Sequence, residues 1–584
     1  MTFLKIIGTL LLLTFSSSGF SDIDNGTWYY TVYNNEATVT RCSPTANAET
    51  CSKDLAIPLM IDGYSVTGIG VNAFLGKQLT SVDIHNNIVS IGAGAFSGNS
   101  LTSLTIPNSV RKIGKCAFCV NELITVNIPD GITDIAESTF SGNKITSVTI
   151  PDSVVGIGEY AFMNNLLVTI LIPSSVTNLG RGAFYNNKLT SISLPDSLTS
   201  IPAMAFYNNL LSIIDIPDSV TKIGKNAFYN NKLIKVSFGM NLHTIEEEAF
   251  RNNKLASITI PEGVISLSGF GGNFLTALTI PKSVESIGDG AFYENQLTKV
   301  TILGDLASIG TRSFSRNRLT TITLPDSLTS IGSYAFSENQ LIHITIPNSV
   351  FDIGDYAFHN NHLKSAILPN NINTIGMFSF SQNRLEAIAI PPNLTSIGLS
   401  SFSNNLISTV IIPANIDIIY ASAFGNNALT SVSFLGNRPL IQDGAFGYNE
   451  KLRIITVCSG KVGWPGRPIY AWVSPLISPV ISVISCDADN DGVSDAQEAI
   501  DGTNSLIPDT DGDGLTDSQE ATYGTNPLLK DSDSDGYSDK DEIDMGTDPL
   551  DANSVPTSGL SMILIKAFLD KQKAASQVSA EQRK

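Results

Sequence analysis

From Leu101 onward the apolar positions fall in a fixed order. Leu101, Leu104 and Ile106 have polar residues between them, and Pro107, Val110, Ile113, Gly114, Ala117, Phe118 and Asn121 follow. The alternation predicts a half-buried strand, and Pro107, with no N–H for an inner ladder, ends it. Val110 and Ile113 are expected to pack from an opposite wall, Gly114 to let the chain turn, and Ala117 and Phe118 to fill the interior. The order returns. Phe74, Phe96, Phe118, Phe140, Phe162, Phe184, Phe206, Phe228 and Phe250 are 22 residues apart; Phe270 comes 20 later, and Phe292 to Phe446 resume the period, eighteen units in all. A period in the twenties means a solenoid, in which each unit buries its apolar face only against its neighbours. Identical strands stacked this way make a parallel sheet, about 4.8 Å per coil.

Asparagine stands three residues after the marker Phe in 17 of the 18 units, as in Asn99, Asn121, Asn143, Asn165 and Asn187; the first unit has Lys77. A turn between coils leaves inward backbone groups without strand partners, and an amide can donate to and accept from them. Stacked copies can also bond one another as a ladder. A residue present in every coil but one is read as structural rather than as a glycosylation or ligand site.

Both solenoid ends need covers. At residues 22–54, WYYTVYNNEATVTRC reads as a hairpin turning at Asn34-Asn35. At residues 458–486, Trp464 and Trp472 are expected to cover the last coil. The coil sequence between, residues 55–457, resembles the BspA-like, treponemal type of leucine-rich repeat found in bacterial surface proteins. That resemblance implies a secreted or surface-exposed protein associated with adhesion.

Charge separates the chain into two materials. Of a net −19, residues 487–553 hold 20 Asp+Glu against two Lys, or −18. Neither part is basic, which argues against nucleic acid as a partner. The acidic part contains DADNDGVSDAQE, DTDGDGLTDSQE and DSDSDGYSDKDE, each fitting the loop pattern that wraps Ca²⁺ in oxygen. The predicted ligands are Asp487, Asp489, Asp491, Val493, Asp495 and Glu498; Asp509, Asp511, Asp513, Leu515, Asp517 and Glu520; and Asp531, Asp533, Asp535, Tyr537, Asp539 and Glu542. Val493, Leu515 and Tyr537 would offer main-chain carbonyls. Gly492, Gly514 and Gly536 make the sharp turns. The flanking helices of an EF-hand are not evident, and GTNS, GTNP or GTDP follows each loop. The segment resembles the bacterial thrombospondin type 3 repeat, which implies loops wound around bound ions as a stiff stalk, with Asn526, Asp548 and Asp551 as further candidate ligands. So many carboxylates repel one another, so the segment is expected to order only on calcium.

Residues 1–21 read as a signal peptide, Lys5 preceding the apolar run Ile6–Phe15. In an exported chain the six cysteines are expected to pair. Sequence proximity suggests Cys42–Cys51, Cys116–Cys119 and Cys458–Cys486, although six cysteines allow 15 connectivities, and Cys116-Ala-Phe-Cys119 also fits a redox or metal pair. Residues 554–584 read as a tail with a short amphipathic helix, Leu560, Ile563, Leu564, Ala567 and Phe568 on one face. It suits docking on a membrane, a partner or the chain itself, and is too short to span a bilayer.

Catalysis needs converging groups of mixed kind, and the coils offer few. His343, His359 and His362 occupy different places in their units, so their side chains should diverge. The reading is non-enzyme. Outward strand positions such as Ser103, Thr105, Ser147 and Thr149 make a polar, uncharged face without the Tyr, Trp and Arg anchors of protein hot spots. Tyr185, Tyr207, Tyr229 and Tyr293 each follow the marker Phe. The first three should form a stripe, either a ligand surface or a self-stacked ladder. The whole is expected to be mainly β: a leucine-rich-repeat solenoid of about 18 units, then a calcium-loop stalk and a short C-terminal helix. The function it suggests is a secreted or cell-surface, non-catalytic adhesion protein for an extracellular protein or glycan. The alternative is a structural component of a matrix or surface layer without a discrete ligand.

Overall fold

A computed structural model describes residues 21–43, 52–458, 464, 473, 479–484, 487 and 489–554. The expected leader, Cys51, Trp472, Cys486 and the C-terminal helix lie outside the described residues. The chain divides into two compact units, 1–407 with 420–427 and 408–419 with 428–584.

The first unit is built of parallel coils. Each coil carries a short wall strand, and Ser200–Ile201, Lys222–Ile223, Thr244–Ile245 and their successors through Thr374–Ile375 form one nine-stranded ladder. Their partners sit 22 residues apart, as Ser200↔Lys222, and 20 apart at the shortened coil, Ser266↔Ser286. The other wall carries strands such as Thr125–Asn127 paired with Ser147–Thr149. Residues 101–106 keep the buried-exposed alternation without a regular strand. Side-chain packing imposes the alternation there, and the backbone ladder is secondary to it.

The interior is a column of aromatic rings. From Phe74 to Phe424 consecutive marker rings stack at 5.2–6.0 Å between centroids and within 17° of parallel. Fully burying one such side chain stabilises by roughly 1.5–3 kcal/mol. Ion pairs also step from coil to coil, as Lys115–Glu137 at 2.7 Å and Lys144–Glu122 at 3.0 Å. Exposed pairs of that kind contribute about 0–1 kcal/mol, so the rings hold the coils together.

Turning is arranged differently from the sequence expectation. Gly114 has no left-handed backbone. A Cβ there would stand 2.4 Å from the Ala93 nitrogen and 2.7 Å from its Cα, so glycine is required by the close approach of the preceding coil. The chain turns instead at residues two before and two after the marker Phe, which are left-handed: Cys116 and Val120 around Phe118, Tyr160 and Asn164 around Phe162, Arg312 and Arg316 around Phe314. This alternation points successive N–H groups at the next coil, and Cys116, Phe118 and Val120 donate to the carbonyls of Glu137, Thr139 and Ser141.

The repeated asparagine closes the remaining gap. Asn209 accepts from the Leu189 N–H at 3.1 Å and donates to the Phe184 carbonyl at 2.9 Å and the Tyr207 carbonyl at 3.3 Å. It bonds backbone of its own and preceding coils, not other members of its column. Amide-to-amide bonding occurs one residue earlier, where Asn186, Asn208 and Asn230 each donate to the asparagine 22 residues before.

At the N-terminal end, Trp28–Tyr33 and Glu36–Cys42 form a hairpin whose turn residues Asn34 and Asn35 are both left-handed. Glu36–Cys42 pairs with Tyr64–Ile69 and so extends the coil sheet, while Trp28 packs edge-on against Phe74 at 6.3 Å. Cys116 and Cys119 are joined by a disulfide, their Cα atoms 4.8 Å apart. Cys42 and Cys458 each belong to a disulfide of their own, and the partners suggested for them by sequence proximity, Cys51 and Cys486, lie outside the described residues.

In the second unit, Thr409–Ile412, Ser431–Phe434, Ile454–Cys458 and Val480–Ile484 make a parallel four-stranded sheet. Trp464 is buried against Phe434 at 4.6 Å and donates to the Gly436 carbonyl at 3.3 Å.

Candidate metal centres and ligand face

The acidic segment folds into three loop-helix repeats. Contrary to the sequence reading, each loop runs directly into a helix of seven residues: α1 (Asp495–Asp501), α2 (Asp517–Tyr523) and α3 (Asp539–Met545). Ser494, Thr516 and Ser538 cap their starts, and left-handed Gly502, Gly524 and Gly546 their ends. Those Ser/Thr and Gly positions, standard start and stop signals, were the cue in the sequence.

In each loop the first aspartate gathers main-chain N–H groups. Asp509 accepts from Gly512 at 2.7 Å and Gly514 at 3.0 Å, and Asp531 from Ser534 at 2.7 Å and Gly536 at 2.8 Å. The third and fifth are held likewise: Asp511 accepts from Asp513 at 3.1 Å, and Asp513 from Leu515 at 2.8 Å. Carboxylate oxygens of Asp487, Asp489 and Asp491, of Asp509, Asp511 and Asp513, and of Asp531, Asp533 and Asp535 thereby converge to within 4.8 Å of one another. Val493, Leu515 and Tyr537 spend their N–H on the fifth-position aspartate, which leaves each a carbonyl to offer.

Glu498, Glu520 and Glu542 are completely buried. Both carboxylate oxygens of Glu520 and of Glu542, and Oδ2 of Asp489, Asp511, Asp533 and Asp535, are buried without a hydrogen-bond partner among the described residues. Burial, and then the charges of Asp511, Asp513, Asp517 and Asp539, push Glu520 up to about 8. Burial raises Asp489 to about 6. Orphaned carboxylate oxygens in an all-oxygen cluster fit a hard divalent cation such as Ca²⁺, which takes six to eight oxygens. The cation supplies the positive charge that these groups lack, and the three aspartates with the buried glutamate are the residues to hold it.

Asp517 and Asp539, placed among the ligands by spacing, brace their loops. Each is the first residue of its helix and reaches back across its loop: Asp517 to the N–H and hydroxyl of Thr510 at 2.9 and 2.7 Å, Asp539 to those of Ser532 at 2.8 and 2.7 Å. Of Asp495 only the backbone is described. Asn526, Asp548 and Asp551 form local turns, accepting from Leu528, Leu550 and Asn553.

On the coils, Tyr185, Tyr207 and Tyr229 stack on one another at 4.6 and 4.7 Å, within 8° of parallel. Both faces of Tyr207 and one face each of Tyr185 and Tyr229 are therefore used within the stripe, and the Tyr229 hydroxyl accepts from the Asn252 side chain at 3.0 Å. Tyr293 stands apart, between the guanidinium groups of Arg251 at 5.7 Å and Arg316 at 5.6 Å. A second stripe, unnoticed in the sequence, runs through Tyr334, Tyr356 and Phe378 at 4.6 and 4.8 Å. Its members sit two residues before the marker, a position with no fixed residue type. His343 and His359 bond separate hydroxyls, Ser365 at 2.8 Å and Ser381 at 2.6 Å. On the strand face near the first coils an open hollow of about 400 Å³ is lined by Asp54, Ser81, Asp83 and Thr105 among others. Among the described residues no helix is long and apolar enough to cross a membrane.

Two known repeat types match the chain. The family described as BspA type leucine rich repeat region (6 copies) matches residues 60–167, 156–269, 263–376 and 352–462. The bacterial TSP3 repeat matches residues 487–508, 509–530 and 531–552. No curated protein matches. Among solved structures, the chain is similar to a leucine rich cell surface protein from Faecalibacterium prausnitzii, with 23% identity over 58% of this chain and 95% of that one, TM-score 0.32. It is also similar to a leucine-rich repeat protein from Bacteroides ovatus, with 20% identity over 80% and 100%, TM-score 0.35. A third is the pneumococcal vaccine antigen PcpA, with 19% identity over 80% and 100%, TM-score 0.37.

Proposed function

The chain belongs to the BspA type leucine rich repeat family, and from that premise we propose that it is an exported, surface-associated adhesion protein without catalytic activity. Its coils bind an extracellular protein or glycan, and calcium orders residues 487–553 as a stalk. The observation that carries this reading is the separation of inward and outward strand positions. Inward ones are filled by buried Leu, Ile and Phe in coil after coil, as Leu211, Ile214 and Ile216. Outward ones change freely: Thr105, Asn127, Leu171 and Asp215 occupy one equivalent place, and Ser103, Ile213, Lys235 and His343 the other. A face whose side chains bear no load for the fold is free to be fitted to a partner.

The self-stacked tyrosines favour a second reading, a structural component of a matrix or surface layer, since they spend aromatic surface on the coils themselves. Binding of the purified chain to arrays of matrix proteins and glycans, in calcium and in EDTA, separates the two. Saturable binding to one class, weakened by charge substitution at Asp83 or Lys235 on the strand face, supports adhesion. Absence of binding, with self-association alone, overturns it in favour of the structural role.

A further inference from the structure

We propose that the calcium loops are coupled in one direction, each loop being completed by the first helical turn of the repeat that follows it. Ser518 and Lys540, through their main-chain N–H groups, are positioning residues for metal in the first and second loops. The inference rests on the calcium reading above.

The fifth-position aspartate is the pivot. In the first loop Asp491 Oδ1 accepts from Val493 of its own loop at 2.7 Å, while Oδ2 accepts from the Ser518 N–H at 2.9 Å, 27 residues on. The Ser518 hydroxyl also donates to the Asp491 carbonyl. In the second loop Asp513 Oδ1 accepts from Leu515 at 2.8 Å and Oδ2 from the Lys540 N–H at 2.9 Å, again 27 residues on. A carboxylate held at both oxygens cannot rotate, so the following repeat sets the angle at which the aspartate meets a cation. The third loop differs. Asp535 Oδ1 accepts from Tyr537 at 3.0 Å, but its Oδ2 is buried with no partner among the described residues.

A further observation supports the coupling. The completely buried, unpartnered carboxylates of Glu520 and Glu542 sit at the last loop position of the second and third repeats, inside the helices that supply the N–H groups. A cation drawn to Glu520 therefore orders α2, and α2 orders Asp491. Ser518 and Lys540 are in the first turn of their helices, where N–H groups have no intrahelical partner, so donating to the preceding loop takes nothing from the helix. Groups that orient a ligating side chain typically change metal affinity by about 10–100-fold.

The test uses the full chain with two optical reporters: Val493→Trp to sensitise terbium in the first loop, and native Tyr537 for the third. Disabling the second loop with Asp509→Ala and Asp511→Ala should weaken terbium, and calcium competing with it, at the first loop by about 10–100-fold. The third loop should be unchanged. Ser518→Pro, which keeps every second-loop carboxylate and removes both the N–H and the hydroxyl that meet Asp491, should weaken the first loop alone, with three sites still counted by calorimetry. Equal loss at the first and third loops, or loss at neither, overturns the coupling. Failure of any loop to bind terbium or calcium in the unsubstituted chain overturns the calcium reading itself.

Discussion

The coils and the acidic repeats share a period of 22 residues, Phe96 to Phe118 in one and Asp487 to Asp509 in the other, yet hold their neighbours by opposite physics. In the coils the recurring residue is apolar and uncharged, its interaction with the next copy is attractive, and adding units adds stability. In the acidic repeats the recurring residues are carboxylates, every copy repels the next, and a counter-charge has to come from outside. Period alone therefore says nothing about cohesion. The identity of the buried recurring side chain decides it: Phe118 and Asn121 in one region, Glu520 and Glu542 in the other.

The sharpest way to break the comparison is chelation. With EDTA at pH 8 the acidic segment should lose its helices and become open to proteolysis, while the coil ladder stays protected. A cation at about 1,000 times its dissociation constant contributes roughly 4 kcal/mol to the state it binds, a large share of what a segment this small can hold. Hydrogen exchange with and without EDTA reads both regions at once, and equal protection of α2 in both conditions would remove the distinction.

The converse perturbation acts on the coils alone. Phe206→Ala should cost about 3–5 kcal/mol, felt as faster exchange in the coils on either side and not at all in the calcium loops. Asn209→Ala should come next. It strands the Leu189 N–H in the interior, while the Phe184 and Tyr207 carbonyls keep their bonds from Asn187 and Asn186, and a buried unsatisfied group costs about 1–3 kcal/mol.

Acidity should sharpen the contrast in a different way. In EDTA the folded Glu520 is held at about 8 against an ordinary 4.5. Its folded value is raised, so the stability it contributes is full below pH 4.5 and is lost as pH rises through 8. The metal-free acidic repeats, without helices at pH 8, should therefore regain helix and a thermal transition toward pH 5, whereas in saturating calcium they should be less stable at pH 5 than at pH 8, because a proton competes with the cation. The coils, whose core carries no titrating group, should barely respond. Thermal scans at pH 5 and 8 in both conditions check the sign, and a metal-free segment more stable at pH 8 would refute it.

How much of this was legible follows from where the information lies. The Phe and Asn columns could be read because their chemistry and spacing repeat without exception over most of the coils, and so the solenoid followed. The left-handed turns could not, because Cys116, Tyr160, Arg316 and Tyr334 share a backbone conformation and nothing in their side chains. Gly114 was assigned the wrong reason, since a turn and a close approach both select glycine and only coordinates separate them. In the acidic repeats the oxygen-ligand pattern was plain. The helices were not expected although Thr516 and Gly524 bracket one of them, and the bonds of Asp517 to Thr510 lie beyond what spacing can show.

The smallest predicted effect tests whether the comparison holds within a single coil. Phe206 and Tyr207 are consecutive, and each belongs to a continuous stack, one inside the coil and one on its surface. Tyr207 stacks at 4.6 Å on Tyr185 and 4.7 Å on Tyr229, tighter than the 5.7 and 5.3 Å that separate Phe206 from its neighbours. Geometry alone would rank the outer stack as the stronger. Burial argues the reverse: Phe206 is completely buried, whereas Tyr185, Tyr207 and Tyr229 are only half-buried. Aromatic pairing beyond area contributes about 0.5–1.5 kcal/mol, so Tyr207→Ala should cost no more than about half of Phe206→Ala, with Tyr207→Phe near neutral. Exchange rates in the coil of residues 189–209 measure both variants on one scale. If Tyr207→Ala matches Phe206→Ala, the surface stack carries load and a ligand must be sought on the strand face; if it costs nothing, the tyrosine edges are free to meet a partner.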